Sequence, residues 1–182
     1  MNHSSPRFVW SAALALMLVF LPAAPALAQE APREPSTTLS GGYQFMKDFG
    51  WRENLNIGWV ASLTQRMTTH ISIVAEAGGS HGEFGETGFT IQRYAFLGGM
   101  RLSGGEGSVK PFVQVLVGQS RQGGDVGRVN GLAVQSGGGA DITLDNGLTL
   151  RVQADIRTAR EDGTWWRQFR AAGSVVWTIR RR

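Results

Sequence analysis

The segment GGSHG, residues 78–82, has the G-x-S-x-G spacing of a hydrolase nucleophile elbow, whose central serine attacks an acyl carbon. That motif requires the serine to lie on a sharp turn between a strand and a helix. No helical periodicity follows Ser80, so the spacing alone does not indicate a nucleophile. We predict that these residues form a glycine-rich loop.

The same segment contains His81, and Glu83 follows it, so two side chains that could ligate a metal lie close together. These two side chains alone do not make a site of defined geometry, because a zinc site needs at least three protein ligands, and the sequence has no cysteine. Neither a phosphate-binding P-loop motif nor a dinucleotide fingerprint before a helix is present. We therefore predict no metal site, no cofactor and no catalytic residues.

Charges of both signs recur at alternate positions of several segments, which would place them on one face of each strand. Such a set could act as an ion selectivity filter or as a buried network of salt bridges and hydrogen bonds. Its members are Glu76, Arg93, Arg101, Asp141, Arg151, Asp155, Arg157 and Arg170. The choice between the two roles depends on the elements that position these side chains.

Eight segments have the alternation or the length of β-strands, and none shows a convincing helical period. They are residues 37–46, 54–64, 70–79, 89–102, 109–120, 129–144, 148–158 and 167–179. Most are 10–14 residues long, which suits a strand that crosses a bilayer at a tilt, whereas strands of globular proteins are usually about five or six residues long.

Alternation sorts residues into two faces without saying which face meets water, and composition favours one of the two assignments. Glycine accounts for 25 of 182 residues, charged residues for 18%, and Lys47 and Lys110 are the sole lysines. A soluble sheet covers its water-facing side with charge, lysine included. We therefore predict an all-β fold, a closed eight-stranded antiparallel up-and-down transmembrane β-barrel over residues 37–179, with leucines facing lipid.

An eight-stranded barrel has an interior just wide enough to be filled by side chains, so we predict that the inward charges form a plug and not a filter. A phase slip by one residue in the seventh segment would expose Asp155 and two arginines to lipid. At the midplane an outward arginine costs about 2–4 kcal/mol.

The amino-terminal region predicts export. Residues 1–28 contain Arg7, an apolar run and a small-residue cleavage site ending at Ala28, which is typical of a secretory signal peptide. The apolar run ends at Pro22, short of the roughly 20 residues that a spanning helix needs, so we expect any membrane span to be β. We interpret residues 29–36 as a short proline-containing periplasmic linker and residues 180–182 as a basic tail.

The basic residues of the exported part are dispersed along the chain, apart from Arg180 to Arg182. Residues 29–182 hold 17 basic and 14 acidic side chains, and the basic ones do not cluster into the patch that nucleic-acid recognition requires. We predict no nucleic-acid partner. Because cysteine is absent, we also expect no disulfide framework.

The links between the segments alternate in length. The first, third, fifth and seventh links are longer on average than the second, fourth and sixth. The longer links are KDFGWRE, GSHGEFGETG, RQGGDVGR and AREDGTWWR, and the shorter ones are QRMTT, SGGEGS and DNG. Outer-membrane barrels have long extracellular loops and short periplasmic turns, so the longer set predicts four extracellular loops. Aromatics near segment ends predict interfacial girdles: Tyr43, Phe45, Phe89, Trp165, Trp166 and Phe169 on the outer side, and Trp177 on the inner side.

The turn DNG, residues 145–147, fixes the register of the hairpin between the sixth and seventh segments. Leu144 and Leu148 must share a face, which leaves Asp145, Asn146 and Gly147 as a three-residue loop with Gly147 in the left-handed conformation. The same register places Asp141 opposite Arg151 on the polar face. We predict an inward ion pair between these two residues.

The phrases YAFLGGMRL, VKPFVQVLVG, GLAVQSGGGADITLDNGLTLRVQADIRT and FRAAGSVVWTI resemble the small outer-membrane β-barrel family that includes OmpA-like and opacity-type proteins. The resemblance covers roughly residues 37–179. It implies location in the outer membrane and a non-enzymatic role in envelope structure, surface interaction or adhesion through the loops. The partners it implies are outer-membrane lipid, an unknown extracellular molecule, periplasmic chaperones and the barrel-assembly machinery.

Three alternatives remain open at this point. A soluble, exported, lipocalin-like barrel would put the leucines inside around an apolar ligand. His70 and Ser72 resemble the His and Ser pair of lipid A deacylases, although here they lie early in the chain, at the inner end of the third strand and in the interior phase. A small diffusion pore is the third alternative.

Overall fold

We analysed a computed structural model, which describes residues 36–49, 54–55, 57–84, 89–124, 127–161 and 163–179. The predicted signal peptide, the linker apart from Ser36, and the basic tail lie outside the described residues. Within the described ranges, no helix has the length and apolar character needed to cross a membrane.

The described chain forms eight long antiparallel strands, and a two-residue strand segment, Asn54–Leu55, pairs with the first of them. The strands are β1 Thr37–Asp48, β2 Ile57–Arg66, β3 Ile71–Phe84, β4 Phe89–Ser103, β5 Val109–Gly124, β6 Gly127–Thr143, β7 Thr149–Glu161 and β8 Thr164–Ile179. Each pairs with the next along the chain, as the up-and-down prediction requires.

The sheet closes on itself because β8 also pairs with β1, from Thr37 opposite Ile179 to Asp48 opposite Gln168. Closure gives both edge strands a hydrogen-bonding partner, which is the condition for a sheet to lie in hydrocarbon. The predicted closed eight-stranded antiparallel barrel is confirmed.

The strands are staggered around the barrel. Following Cα partners once around from Thr37 leads through Gln65, Ile73, Met100, Val115, Ser136, Ile156 and Phe169, and returns to β1 at Lys47. The path returns ten residues from where it began, which corresponds to strands tilted by roughly 35–45° from the barrel axis.

The two faces of the sheet differ in chemistry. Large apolar side chains such as Leu63, Phe96 and Val117 are exposed on the outside, while glutamine, arginine and serine side chains are buried inside. A water-soluble barrel has the opposite arrangement. The predicted inside-out phase is therefore present along all eight strands.

The strands extend further than predicted at one end of the barrel. We call this the loop end, where the links are residues 49–56, 85–88, 125–126 and 162–163, and the opposite end the turn end, with links 67–70, 104–108 and 144–148. The bounds of the four longer links differ from the prediction, because most of the residues assigned to them continue the strand ladders. Backbone pairing does not require apolar alternation, so the strands continue beyond the residues that show the alternating pattern.

The β6–β7 hairpin has a three-residue turn. Leu144 N donates to Leu148 O at 2.8 Å, and Gly147 N donates to Leu144 O at the same distance. Gly147 has φ of 81°, a left-handed conformation that glycine adopts without strain, and Asn146 Oδ1 accepts from Leu148 N. Asp145 completes the turn and is exposed.

One inward glycine allows β6 to approach β7 closely. A Cβ added to Gly139 would lie 2.1 Å from Val152 O and 2.8 Å from Gln153 Cα, so a larger residue would push the strands apart. The outward Gly98 offers a contrast, because its nearest neighbour would be Val74 O at 3.8 Å.

We expect Gly139→Ala to lower the free energy of unfolding by about 1–3 kcal/mol, because overpacking strains the backbone. Urea unfolding in lipid vesicles, followed by the gel shift between folded and heated protein, measures this change. The control Gly98→Ala should remain within about 0.5 kcal/mol of the unmodified protein. Equal effects of the two substitutions would contradict the assignment of Gly139 as a close-approach position.

Candidate functional site

Arg170 on β8 is fully buried at the centre of the barrel interior. Its Nη2 and Nε donate to Asp155 Oδ2 at 2.6 and 3.1 Å across the β7–β8 ladder, where the two residues are directly opposite. Its Nη1 lies 2.9 Å from Glu76 Oε1. One guanidinium group therefore binds two buried carboxylates.

Glu76 lies on β3, which is not adjacent to β8, so its contact with Arg170 crosses the barrel interior. Gln135 on β6 donates to Glu76 Oε1 at 3.0 Å, and Gln44 on β1 accepts from Arg170 Nη1 at 3.0 Å. Asp155 accepts a further bond from Gln153 at 3.2 Å. Side chains from five strands thus meet around one arginine.

A second group lies nearer the turn end. Arg151 donates to both oxygens of Asp141, Nε to Oδ1 at 2.6 Å and Nη2 to Oδ2 at 2.9 Å, which is a bidentate pair. Its Nη1 is 3.3 Å from Ser62 Oγ, and Ser62 is hydrogen-bonded to Ser40. The ion pair expected from the turn register is present, and it faces the interior.

Two further arginines use glutamine oxygens as acceptors. Arg101 donates to Gln114 Oε1 at 3.1 and 2.7 Å and stacks over Phe112, 4.0 Å from the ring centroid. Arg157 donates twice to Gln135 Oε1 at 3.0 and 2.8 Å. These arginines are buried beside neutral oxygens, so the interior charge has a positive excess.

Arg93 completes the predicted charged set near the loop end. Its Nε donates to Gln122 Oε1 at 3.0 Å, and the residue is half-buried on the inward face. All eight predicted charges therefore lie on the inward face. We call them, with the glutamines and serines that bond to them, the interior network.

Sequence reasoning missed the glutamines. Gln44, Gln114, Gln135 and Gln153 link the charged groups to one another and are all buried. They share the strand phase of the charges, and that shared phase is the signal that could have found them.

Part of the interior is apolar. Val74, Ala95, Leu97, Leu116, Ala133 and Ala159 form one buried cluster on the inward face of β3 to β7. Leu97 and Leu116 therefore lie in the same phase as Arg101 and Gln114, so the inward faces of β4 and β5 carry both apolar and polar side chains.

The candidate catalytic residues are not brought together as a site. Ser80 lies within β3 and its buried Oγ has no hydrogen-bond partner among the described residues; the next element is a strand, so the prediction of a loop at 78–82 is wrong. His70 lies exposed in the turn before β3, which corrects its predicted interior phase, whereas Ser72 is buried inside.

His81 is exposed on β3, and the Glu83 side chain lies outside the described part. Among the described residues, no group of three or more histidine, aspartate or glutamate side chains could hold a metal.

The predicted girdle aromatics divide into two groups. Tyr43, Phe45, Trp165, Phe169 and Trp177 are exposed on the outward face. Trp166 is a correction, because it lies opposite Ala159 in the inward phase and is half-buried. The Phe89 backbone belongs to β4, while its side chain lies outside the described residues.

The protein has the fold of the small eight-stranded outer-membrane β-barrels. The structure of Neisserial surface protein A matches it with a TM-score of 0.63 at 10% identity, over 81% of this chain and 98% of that chain. The Yersinia pestis outer membrane protein Ail in a phospholipid bilayer nanodisc matches with a TM-score of 0.51 at 14% identity, over 79% of this chain and 100% of that chain.

These identities are low, so the likeness shows the fold, and for the fold the resemblance noted in the sequence is confirmed. No protein-family model matches the chain. No curated protein matches it either.

We expect Arg170→Met to lower the free energy of unfolding by about 3–5 kcal/mol, because it leaves two buried carboxylates without their cation. The exposed Arg121, which donates to Asn130 at 2.9 Å, supplies the matched control Arg121→Met. Urea unfolding in vesicles compares the two. A loss no larger for Arg170→Met than for Arg121→Met would contradict the central role of Arg170.

Proposed function

We propose that the chain is an exported, non-enzymatic outer-membrane protein whose interior network closes the barrel and whose loop-end hairpins contact molecules outside the cell. The observation that carries this proposal is the polar, hydrogen-bonded interior within a closed barrel whose outside is apolar. Such a molecule is stable with lipid around it and without a water-filled lumen.

A role in envelope structure or adhesion is supported by the extension of the paired strands at the loop end. β3 and β4 pair as far as Phe84 opposite Phe89, and β5 and β6 as far as Gly124 opposite Gly127. Paired hairpins present side chains on a stiff frame, so a partner binds without first having to order a long loop. We expect outer-membrane lipid, the assembly machinery and periplasmic chaperones as further partners.

The lipid A deacylase alternative is weakened by the positions of its two residues. His70 is exposed at the turn end, whereas Ser72 is buried in the interior. A general base must come within hydrogen-bond reach of the hydroxyl it activates, and these side chains occupy different environments.

The cysteine-free sequence permits a clean test of location and orientation. We expect the protein in the membrane fraction, with a gel band that shifts on heating. In intact cells an impermeant maleimide should label Thr164→Cys at the loop end, and should label Asp145→Cys at the turn end solely after the outer membrane is permeabilised. A wholly soluble periplasmic protein would contradict the proposal, and reversed labelling would contradict the orientation.

The closed interior predicts that the folded protein does not conduct ions. In planar bilayers, the folded protein should give no sustained conductance, because Arg170 with its two carboxylates spans the interior and the remaining space is filled by buried side chains. Single-channel recording measures this directly. Sustained large conductance from heat-modifiable protein would support the pore alternative instead.

A further inference from the structure

An apolar groove of about 720 Å³ lies on the outside of the barrel, across β1, β6, β7 and β8. Small outward-facing residues, Ala154, Ala171 and Gly173, line it, and the larger Tyr43 and Val152 project beside them. The groove is a shallow depression of the outer surface, open over most of its extent, and is not an enclosed cavity. The groove has the chemistry to hold a hydrocarbon chain.

Three cations lie on the same strands, toward the loop end from the groove. Lys47 on β1, Arg167 on β8 and Arg160 on β7 are all exposed and share the outward phase. Lys47 is opposite Phe169, two residues from Arg167, and Arg167 is opposite Thr158, two residues from Arg160. Each is therefore a diagonal neighbour of the next, at a Cα separation of about 7–8 Å.

Neighbouring like charges repel, so this cluster favours an anion that bridges them. Arginine suits phosphate because its planar guanidinium donates two parallel hydrogen bonds. Arg160 also lies 5.8 Å from the ring centroid of Trp165, an arrangement typical of a membrane–water interface. The cluster and the groove thus match the two ends of an anionic lipid.

We propose that they form one site for a phosphorylated membrane lipid, whose phosphate contacts Lys47, Arg160 and Arg167 and whose acyl chain lies along the groove. The site rests on the proposed function, because this face meets lipid when the barrel is inserted in a membrane. A second copy of the chain is a poorer occupant. A two-fold contact through this face would bring two sets of the same cations together.

Gly173 gives a direct test of the groove. A Cβ added there would meet nothing within 4 Å, so Gly173→Leu fills the groove without moving the backbone. Gly98 is also exposed, lies on β4 away from the groove, and would have its nearest neighbour at 3.8 Å, so Gly98→Leu is the matched control.

The probe is diphosphoryl lipid A, with its dephosphorylated form as comparison, added to the folded barrel in detergent and measured by native mass spectrometry. We expect at least tenfold weaker binding for Gly173→Leu and for the combined Lys47→Gln, Arg160→Gln and Arg167→Gln variant. Gly98→Leu and the outward-facing Arg121→Gln should bind within about twofold of the unmodified protein. The dephosphorylated lipid should bind at least tenfold less tightly.

Equal binding by Gly173→Leu and Gly98→Leu, or equal binding of the two lipids, would overturn the proposal. A dimer that forms without lipid and is lost in Gly173→Leu would also overturn it, by assigning the groove to a second copy. The heat-dependent gel shift is recorded for every variant. Failure of the unmodified protein to show that shift would count against the proposed function, whereas failure of lipid binding with an intact shift counts against the site alone.

Discussion

The pairing of Arg170 with Asp155 and Glu76 is the interaction on which the rest of the barrel depends. A guanidinium taken out of water loses several kcal/mol of hydration, and it is tolerated in the interior because two carboxylates surround it at 2.6 and 2.9 Å. Both buried carboxylates likewise require the arginine as a partner of opposite charge. The three groups therefore fix the inward phase of β3, β7 and β8 together.

That constraint extends to the outside through strand alternation. With Arg170 inside, its neighbours Phe169 and Ala171 must point outward, and a slip of one residue would put the charge in lipid. Because β8 also pairs with β1, the same assignment of inward and outward residues applies around the whole barrel. The interior network and the lipid-facing surface are thus two consequences of one register.

The sequence was sufficient for contacts between strands joined by a short turn. Asp141 and Arg151 could be paired because three turn residues set the hairpin register. The contact between Glu76 and Arg170 could not, because it depends on closure and on the stagger of ten residues around the barrel, which no local pattern contains. Trp166 and the strand ends at the loop end were predicted incorrectly for a related reason. Strands can pair there without hydrophobic alternation, which leaves no sequence pattern to detect.

The barrel is also uneven around its circumference. β4 and β5 place Leu97 and Leu116 inside and large apolar residues such as Phe96 and Val117 outside, whereas β7 and β8 place arginine, aspartate and glutamine inside and alanine or glycine outside at several positions. The groove over β7 and β8 lies on the same strands that supply Asp155 and Arg170, so the polar interior and the hollow outer face occupy the same side of the barrel.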